Sequence, residues 1–473
     1  MSTAAPAIGR IWKVRAEAGG TWHTWARAAS LTAAIAAFGI AMWQGTLATV
    51  LVGILALVVG WVLVGVIWRG PERDFALTIY ASSMGIRLLA GALGQIFLAR
   101  TNGFLFEDDR AYDEIAWRVV EVWRGDRAGI HKSDNYLLVN YTYLLAGLYN
   151  VIGHELLAAK WLNALVGALA SVATFALALH LTGVVGARLA AVAMTLFPSL
   201  VFWSALNLKD TWVVLLIVLA IYGTIRFAES ATRVIGPASL RDLIPVSIAA
   251  GTLLAFNTLE NLRLYVYFAL GWLMPITFFV LNRSDLPRKL AYGLSFAVIT
   301  VMLTVGTHWG GFRFIDVKRV EATMSNRVLI AEKAETGLDL PKPPKGVNPY
   351  LYQLEQLPMG IAHVLGAPFP WTVKRVKDLP TIPEMVGWYA MLSLALLGLA
   401  TRFRHDWRRL LMPLLFTGML VTVLGLVEGN VGTIFRHRAM LMPTVFVAAG
   451  IGLTWLLARR KAPQGHTEVK VGL

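Results

Sequence analysis

The segment FEDDRAYDEIA, residues 106–116, sets Glu107, Asp108 and Asp109 side by side ahead of Tyr112. Carboxylates grouped at the edge of an apolar segment can act as a general base toward an attacking hydroxyl or amine, or hold a divalent cation. The same acids also suit a helix N-terminus, with Asp108 or Asp109 as its cap. Cations stand at three other points: Lys209 with Asp210 in SALNLKDTWVV, Arg263 with Tyr265 in NLRLYVYF, and Arg436, His437 and Arg438 in EGNVGTIFRHR. Each group borders an apolar run, where a charge persists if it pairs or binds something. Lys and Arg gathered from separate helix ends would make an anion site, with phosphate as its natural ligand. His131, His154, His308 and His363 follow no zinc-enzyme spacing, and the glycines form neither a phosphate loop nor a dinucleotide fingerprint. No cofactor or metal-ligand set is certain from the residues. Mg2+ or Mn2+ on the acidic run is the one addition that the residue types would admit.

The elements that must position these residues are apolar helices. Hydrophobic residues make up 57% of the 473 and charged residues 15%, a balance unsuited to a solvated globule. Apolar runs fall at 28–45, 47–68, 75–98, 157–181, 187–204, 210–228, 243–258, 264–282, 290–308, 384–400, 409–427 and 439–458. About twelve runs of this length, each able to cross ~30 Å of hydrocarbon, predict an all-α polytopic membrane protein. The first 27 residues are polar and mixed, with no cleavable leader pattern. Cysteine is absent, which excludes disulfides, thiol catalysis and cysteine-held metals.

The net charge of +15 is spread in short clusters between the runs, so it reads as topology signal and lipid attraction and not as a nucleic-acid surface. Arg69 and Arg73, then Arg226, Arg233 and Arg241, then Arg283, Arg288 and Lys289, then Arg402, Arg404, Arg408 and Arg409 fall on one side of the bilayer. The positive-inside rule makes that side the cytoplasm, with both termini there. Two long segments, 99–156 and 309–383, are left outside and carry the candidate chemistry. Within the first, 138–152 is too short to span and reads as an interfacial or re-entrant helix, while 110–124 puts Tyr112, Ile115, Val119 and Val122 at helical spacing. Within the second, PKPPKG at 341–346 separates two short helices.

The run EDDRAYDEIA, an acidic pair followed by Tyr and an amphipathic helix in the first large outer loop, resembles the signature of the GT-C glycosyltransferases. The stretch from Tyr143 to Gly183, LNLKD at 206–210, GAPFPW at 366–371 and GNVGTIFRHR at 429–438 are also similar to members of that group, notably bacterial exopolysaccharide enzymes. The likeness is densest over 99–228. It implies a GT-C-like bundle with outer juxtamembrane helices, in which 75–308 is the core and 1–74 adds a cytoplasmic N-terminus and a hairpin. Residues 309–383 would form the second outer loop, 384–458 the C-terminal spans and 459–473 a cytoplasmic tail. The implied reaction moves a sugar from a polyprenyl-phosphate donor to a glycan, glycolipid or protein acceptor at the outer face of a bacterial plasma membrane. In that scheme Asp109, placed by its spacing to Tyr112, is the base and Asp108 its partner. Asp210 orients Lys209, while Lys209, Arg263, Arg436 and Arg438 hold the phosphate; Glu107, Tyr112, Tyr265 and His437 line the substrate. An O-antigen ligase or polymerase using Arg313, Arg319 and His363 is the nearest alternative. A transporter is the other, for which Arg87 would be the one charge inside a span.

Overall fold

The computed structural model describes residues 5–44, 46–98, 101, 103–132, 137–233, 243–306, 312, 316–341, 344, 346–373 and 378–461, with the side chains of 5–21 and of 461 left aside. Arg241, His308, Arg313 and, within PKPPKG, Lys342, Pro343 and Lys345 lie outside the described residues. The described residues are mostly helical: α1 Ala5–Trp43, α2 Leu47–Ile67, α3 Arg73–Phe97, α4 Glu107–Arg124, α5 Asn140–Ile152 and α6 Leu156–Thr182. There follow α7 Val184–Leu196, α8 Pro198–Ser204, α9 Asp210–Arg233, α10 Leu243–Thr258, α11 Leu264–Leu281 and α12 Leu286–Gly306. The series closes with α13 Val317–Lys333, α14 Pro349–Gly366, α15 Thr381–Val427, α16 Val431–His437 and α17 Met442–Lys461. Among the described residues no strand forms beyond one isolated bridge between Gly337 and Asn430.

Nine of these helices are long and apolar enough to cross a bilayer among the described residues, and a tenth crossing results if α7 and α8 count as one. This is an all-α integral membrane protein. Its outward faces stay apolar, with Leu51, Leu55, Val62 and Ile67 of α2 exposed, as lipid contact requires. α1 begins at Ala5, well before the expected 28, and its membrane-suited part is Trp22–Trp43. The short helix expected at 138–152 is α5, whose 13 residues reach only ~20 Å and rest on α4.

Where two spans were expected at 384–400 and 409–427, α15 is continuous but for Asp406, whose φ of −124° and ψ of 22° leave the helical region. It nevertheless folds back. Near its start Trp388 Nε1 donates to Leu365 O at the end of α14 (2.6 Å), and near its finish Gly425 lies so close to Gly360 of α14 that a Cβ on Gly360 would fall 2.1 Å from Gly425 O. Those two contact points on α15 are roughly 37 residues apart, ~55 Å along a straight helix, yet they touch positions a turn and a half apart on α14. Asp406 is therefore an elbow, and the arginines around it occupy its bend.

The joint between α7 and α8 is a bend of 52° at Phe197, followed by Pro198 at the first position of α8. Such a break strands carbonyls on one side and N–H groups on the other. Arg87 of α3, 1% exposed, donates to Met194 O (2.9 Å) and Thr195 O (3.3 Å), while Ser199 N donates to the buried Glu384 of α15 (2.9 Å). Arg87 thus satisfies the carbonyls of a broken helix.

Candidate functional site

The acidic run forms the first turn of α4. Glu107, Asp108 and Asp109 are its first three residues, where negative charge complements the exposed N–H groups. Their side chains diverge, because successive helical residues point about 100° apart. Asp109 turns inward and is fully buried, accepting hydrogen bonds from Leu105 N (3.1 Å) and Phe106 N (3.0 Å), which ties the loop to the helix as the reciprocal half of a capping box does. Burial raises its pKa despite those N–H groups and nearby Lys160. Asp108 turns outward, 60% exposed, and Glu107 is exposed beside it.

The loop that delivers this turn is held from below. Lys160 of α6, buried, donates to Gln95 Oε1 (2.8 Å) and Gly103 O (2.6 Å). Gly103 has φ of 86°, and a Cβ there would meet Gln95 at 2.5 Å, so the position requires glycine. Three turns of α4 are buried through Tyr112, Ile115, Ala116, Val119 and Val120, and Val122 is partly covered.

A second network fixes the loop between α8 and α9. Asn163 Nδ2 donates to Leu206 O (2.8 Å), Leu208 O (3.0 Å) and Tyr141 Oη (3.0 Å), and its Oδ1 accepts from Trp212 Nε1 (2.8 Å). Tyr141 Oη donates in turn to Asn207 Oδ1 (2.5 Å), and Asn207 Nδ2 reaches Asp109 O (3.2 Å). The LNLKD loop and the first turn of α4 are therefore joined by one hydrogen-bond network, and Lys209 Nζ stands 5.5 Å from the Tyr112 ring.

The remaining cation arrives from the far end of the sequence. Asn430 caps α16 through Gly432 N (2.9 Å), accepts from Thr336 Oγ1 (2.5 Å), and its neighbour Gly429 O takes Leu338 N (2.9 Å), so the second long segment latches the approach to α16. His437 Nδ1 lies 2.7 Å from Glu428 Oε1 in the same latch. Burial holds His437 below the ordinary histidine value, and Arg263 adds to that effect.

Arg436 is the hub. Its Nη1 is 2.7 Å from Asp108 Oδ2, while Nη2 and Nε lie 2.6 and 2.7 Å from Asp210 Oδ2. Asp210, 2% exposed, also pairs with Arg263 through its other oxygen. Four segments distant in sequence thus meet in one chain of charge, Asp108–Arg436–Asp210–Arg263, with Lys209 and Tyr112 beside it. Three cations face two carboxylates, which leaves an excess of positive charge when Lys209 is protonated. The Asp210 pairs are enclosed, whereas the Asp108 pair opens to solvent, where an ion pair is weaker. Burial, reinforced by Arg263, lowers the Lys209 pKa to about 8, so its charge is the adjustable one.

Asp109, expected as the base, is held by Leu105 N and Phe106 N and His437 by Glu428, and two further expected members lie elsewhere or contribute little. Arg438 is fully buried; it donates to Val364 O (3.0 Å) and to Ala367 O, and its guanidinium faces the Trp388 ring at 5.2 Å. With Trp388 and Tyr389, which bond Leu365 O and Gly366 O, it satisfies the carbonyls that end α14, so GAPFPW and FRHR meet as structure. Tyr265 sits beside Arg263 with its hydroxyl 4.0 Å from Met440 Sδ, a weak contact. His363 bonds the Met359 carbonyl of its own helix (2.8 Å). Among the described residues no three His, Asp or Glu side chains converge as metal ligands, and Asp108 and Asp210 are both engaged by Arg436.

One contact near the site titrates. His154 Nε2, between α5 and α6, is 2.7 Å from Asp113 Oδ2, whose other oxygen takes Tyr149 Oη (2.5 Å). The hydrogen bond to Asp113 raises the His154 pKa above 6.5. A raised histidine contributes stability that is complete below the unfolded value and lost as pH climbs through the folded one. His154→Gln should therefore lower the melting temperature more at pH 5.5 than at pH 8.5 (roughly a pH unit or more either side of the histidine range). A deficit that grows with pH would contradict this.

No protein-family model matches the chain, and no curated protein matches it.

Proposed function

We propose that this protein is a membrane glycosyltransferase that takes a sugar from a polyprenyl-phosphate donor. The carrying observation is the solvent-open Asp108–Arg436 pair set on the enclosed Asp210–Arg263 pair, with Lys209 adjacent. A general base and a phosphate-sized group of cations lie within one salt bridge of each other. In this reading the fold makes twelve crossings: α15 supplies two about its elbow, α7 with α8 supplies one, and α10 supplies another. The arginine-rich ends face the cytoplasm with both termini, and the Asp108 cluster faces outward in a bacterial plasma membrane. Nucleotide sugars do not reach that face, so a lipid-linked donor fits the placement.

The donor phosphate would draw Arg436 from Asp108 and settle among Arg436, Lys209 and Arg263. Asp108, released, takes the proton of the acceptor hydroxyl or amine as that atom attacks the anomeric carbon. The bond from that carbon to the phosphate oxygen breaks, and the electron pair leaves on the polyprenyl phosphate, whose charge the cations stabilise. Asp109 in this scheme sets the aim of α4 and does not touch substrate. One displacement inverts the anomeric centre. The test is a set of labelled polyprenyl-phosphate sugars given to purified protein with glycan, glycolipid and protein acceptors. Transfer with an inverted linkage is expected; retention of configuration, or transfer from soluble nucleotide sugars alone, would overturn the reading.

The lowered Lys209 pKa gives a second check. An ammonium that loses its proton near pH 8 stops attracting phosphate above that pH. The KM for the donor should rise between pH 8 and 10 (about the span of a full titration), and Lys209→Arg should remove that rise because guanidinium stays charged. A wild-type KM that stays flat across this range contradicts the role.

A further inference from the structure

The opposite end of α9 carries a second charged cavity that the proposed chemistry does not use. It measures about 630 Å3 and is lined by Arg233 at the end of α9, Arg283 after α11, and Arg404, Trp407, Arg408 and Arg409 around the elbow of α15. Glu229, on the same wall, is 19 residues beyond Asp210, so ~28 Å of helix separates the two sites.

Five arginines share this cavity with two acids, and both acids are already engaged. Glu229 lies 3.2 Å from Arg409 and 2.9 Å from His180, and Asp406 lies 2.6 Å from Arg402 outside the wall. Arg233, Arg283, Arg404 and Arg408 are exposed there on three separate elements. A topology signal requires positive charge in these connections, but not its collection around one cavity. An adjoining space of about 400 Å3 shares Arg283, Trp407 and Arg408 and adds an apolar wall of Phe279 and Val280.

From this arrangement we infer that the elbow cavity is a binding site for a phosphate ester, with the guanidinium forks on the phosphate and the Phe279–Val280 wall beside a lipid chain. Guanidinium groups from converging elements match phosphate oxygens in pairs, and the apolar flank suits an anionic phospholipid headgroup. Bound there, it would tie α9, the link between α11 and α12, and the elbow of α15 together.

The experiment is native mass spectrometry of the purified full chain titrated with phosphatidylglycerol, phosphatidylcholine and inorganic pyrophosphate. Phosphatidylglycerol should bind at least about tenfold more tightly than phosphatidylcholine, and Arg283→Gln/Arg404→Gln/Arg408→Gln together should remove that preference, since charge-assisted contacts are lost. The same three positions changed to Lys should retain part of it, and Arg459→Gln/Arg460→Gln, on a different basic segment, should change nothing. Pyrophosphate binding that depends on the same arginines, without phosphatidylglycerol binding, would keep the phosphate site but make its ligand soluble. Equal phosphatidylglycerol affinity in the wild type and the triple Gln variant would overturn the site. Should the triple variant fail to fold, Arg283→Gln alone, in the exposed link, must weaken binding, and an unchanged affinity there overturns it equally.

Discussion

Asp108→Asn should lower the rate of sugar transfer by roughly 100- to 10,000-fold, the usual contribution of a positioned general base. The amide keeps the size of the side chain and its place on the outward face of α4, so folding is not at issue. What changes is the ability to accept a proton. Because the amide also holds Arg436 less firmly than a carboxylate does, the donor phosphate meets less competition, and KM should stay level or fall. A fall in kcat without a rise in KM is the signature expected of Asp108. Asp109→Ala should behave differently. It removes a cap worth about 0.5–2 kcal/mol and loosens the loop at Leu105 and Phe106, so melting temperature drops along with activity. A kcat for Asp108→Asn within about threefold of wild type would remove the base role, since that is too small a loss for a proton acceptor.

Asp210→Ala should be the most destabilising single change at the site, on the order of 3–5 kcal/mol. The carboxylate holds two guanidinium groups, Arg263 at 16% exposure and Arg436 at 11%, and its removal leaves Arg263 enclosed without a counter-charge and Arg436 with only the exposed Asp108. Their repulsion would open the mouth of α9 and part Arg436 from Asp108. The remedy distinguishes charge from packing. Asp210→Ala combined with Arg263→Gln should recover part of the lost stability, because one stranded charge is gone. Equal melting of the single and double variants, or a loss below about 1 kcal/mol for the single, would show that the pair is not the keystone.

The sequence is most informative where chemistry breaks a simple pattern. Apolar runs announce the membrane helices, and α5 is legible as a non-spanning helix because its apolar stretch is too short. The convergence of the acidic run with Lys209, Arg263 and Arg436 follows from parity: helices that alternate direction bring alternate connections to one face. Which members of each cluster join the site is a matter of rotation, and there the reading is less complete. Arg436 and Arg438 are two residues apart, so they point to nearly opposite sides of one short segment, and only the end of α14 decides that Arg438 is needed to satisfy carbonyls.

For the acids the rotation of α4 decides. In the structure Asp109, Tyr112, Asp113, Ile115, Ala116, Val119 and Val120 are the buried face of α4, whereas the apolar stripe Tyr112, Ile115, Val119 and Val122 read from the sequence would put Asp108 in line with it. Lys160 and Asn163 carried a signal, as polar residues within an apolar run that must find partners there. Those partners, Gly103 O and the loop at 206–208, lie across sequence gaps that no local pattern encodes. The elbow at Asp406 falls in the arginine-rich connection expected between the runs 384–400 and 409–427, but helix continues through that connection on both sides of it. Its flanking residues are good helix formers, and the fold-back is decided by contacts of both arms with α14.

In the proposed mechanism Lys209, Arg263 and Arg436 form one receptor for a lipid-borne phosphate. Its most direct test is equilibrium binding of a polyprenyl phosphate to the purified protein, with the matching polyprenol as comparator. The phosphate should bind and the alcohol should not, and Lys209→Ala with Arg436→Ala should weaken phosphate binding by at least about tenfold, the loss expected when charge-assisted contacts are removed. Equal affinity for phosphate and alcohol, or for wild type and variant, would contradict it.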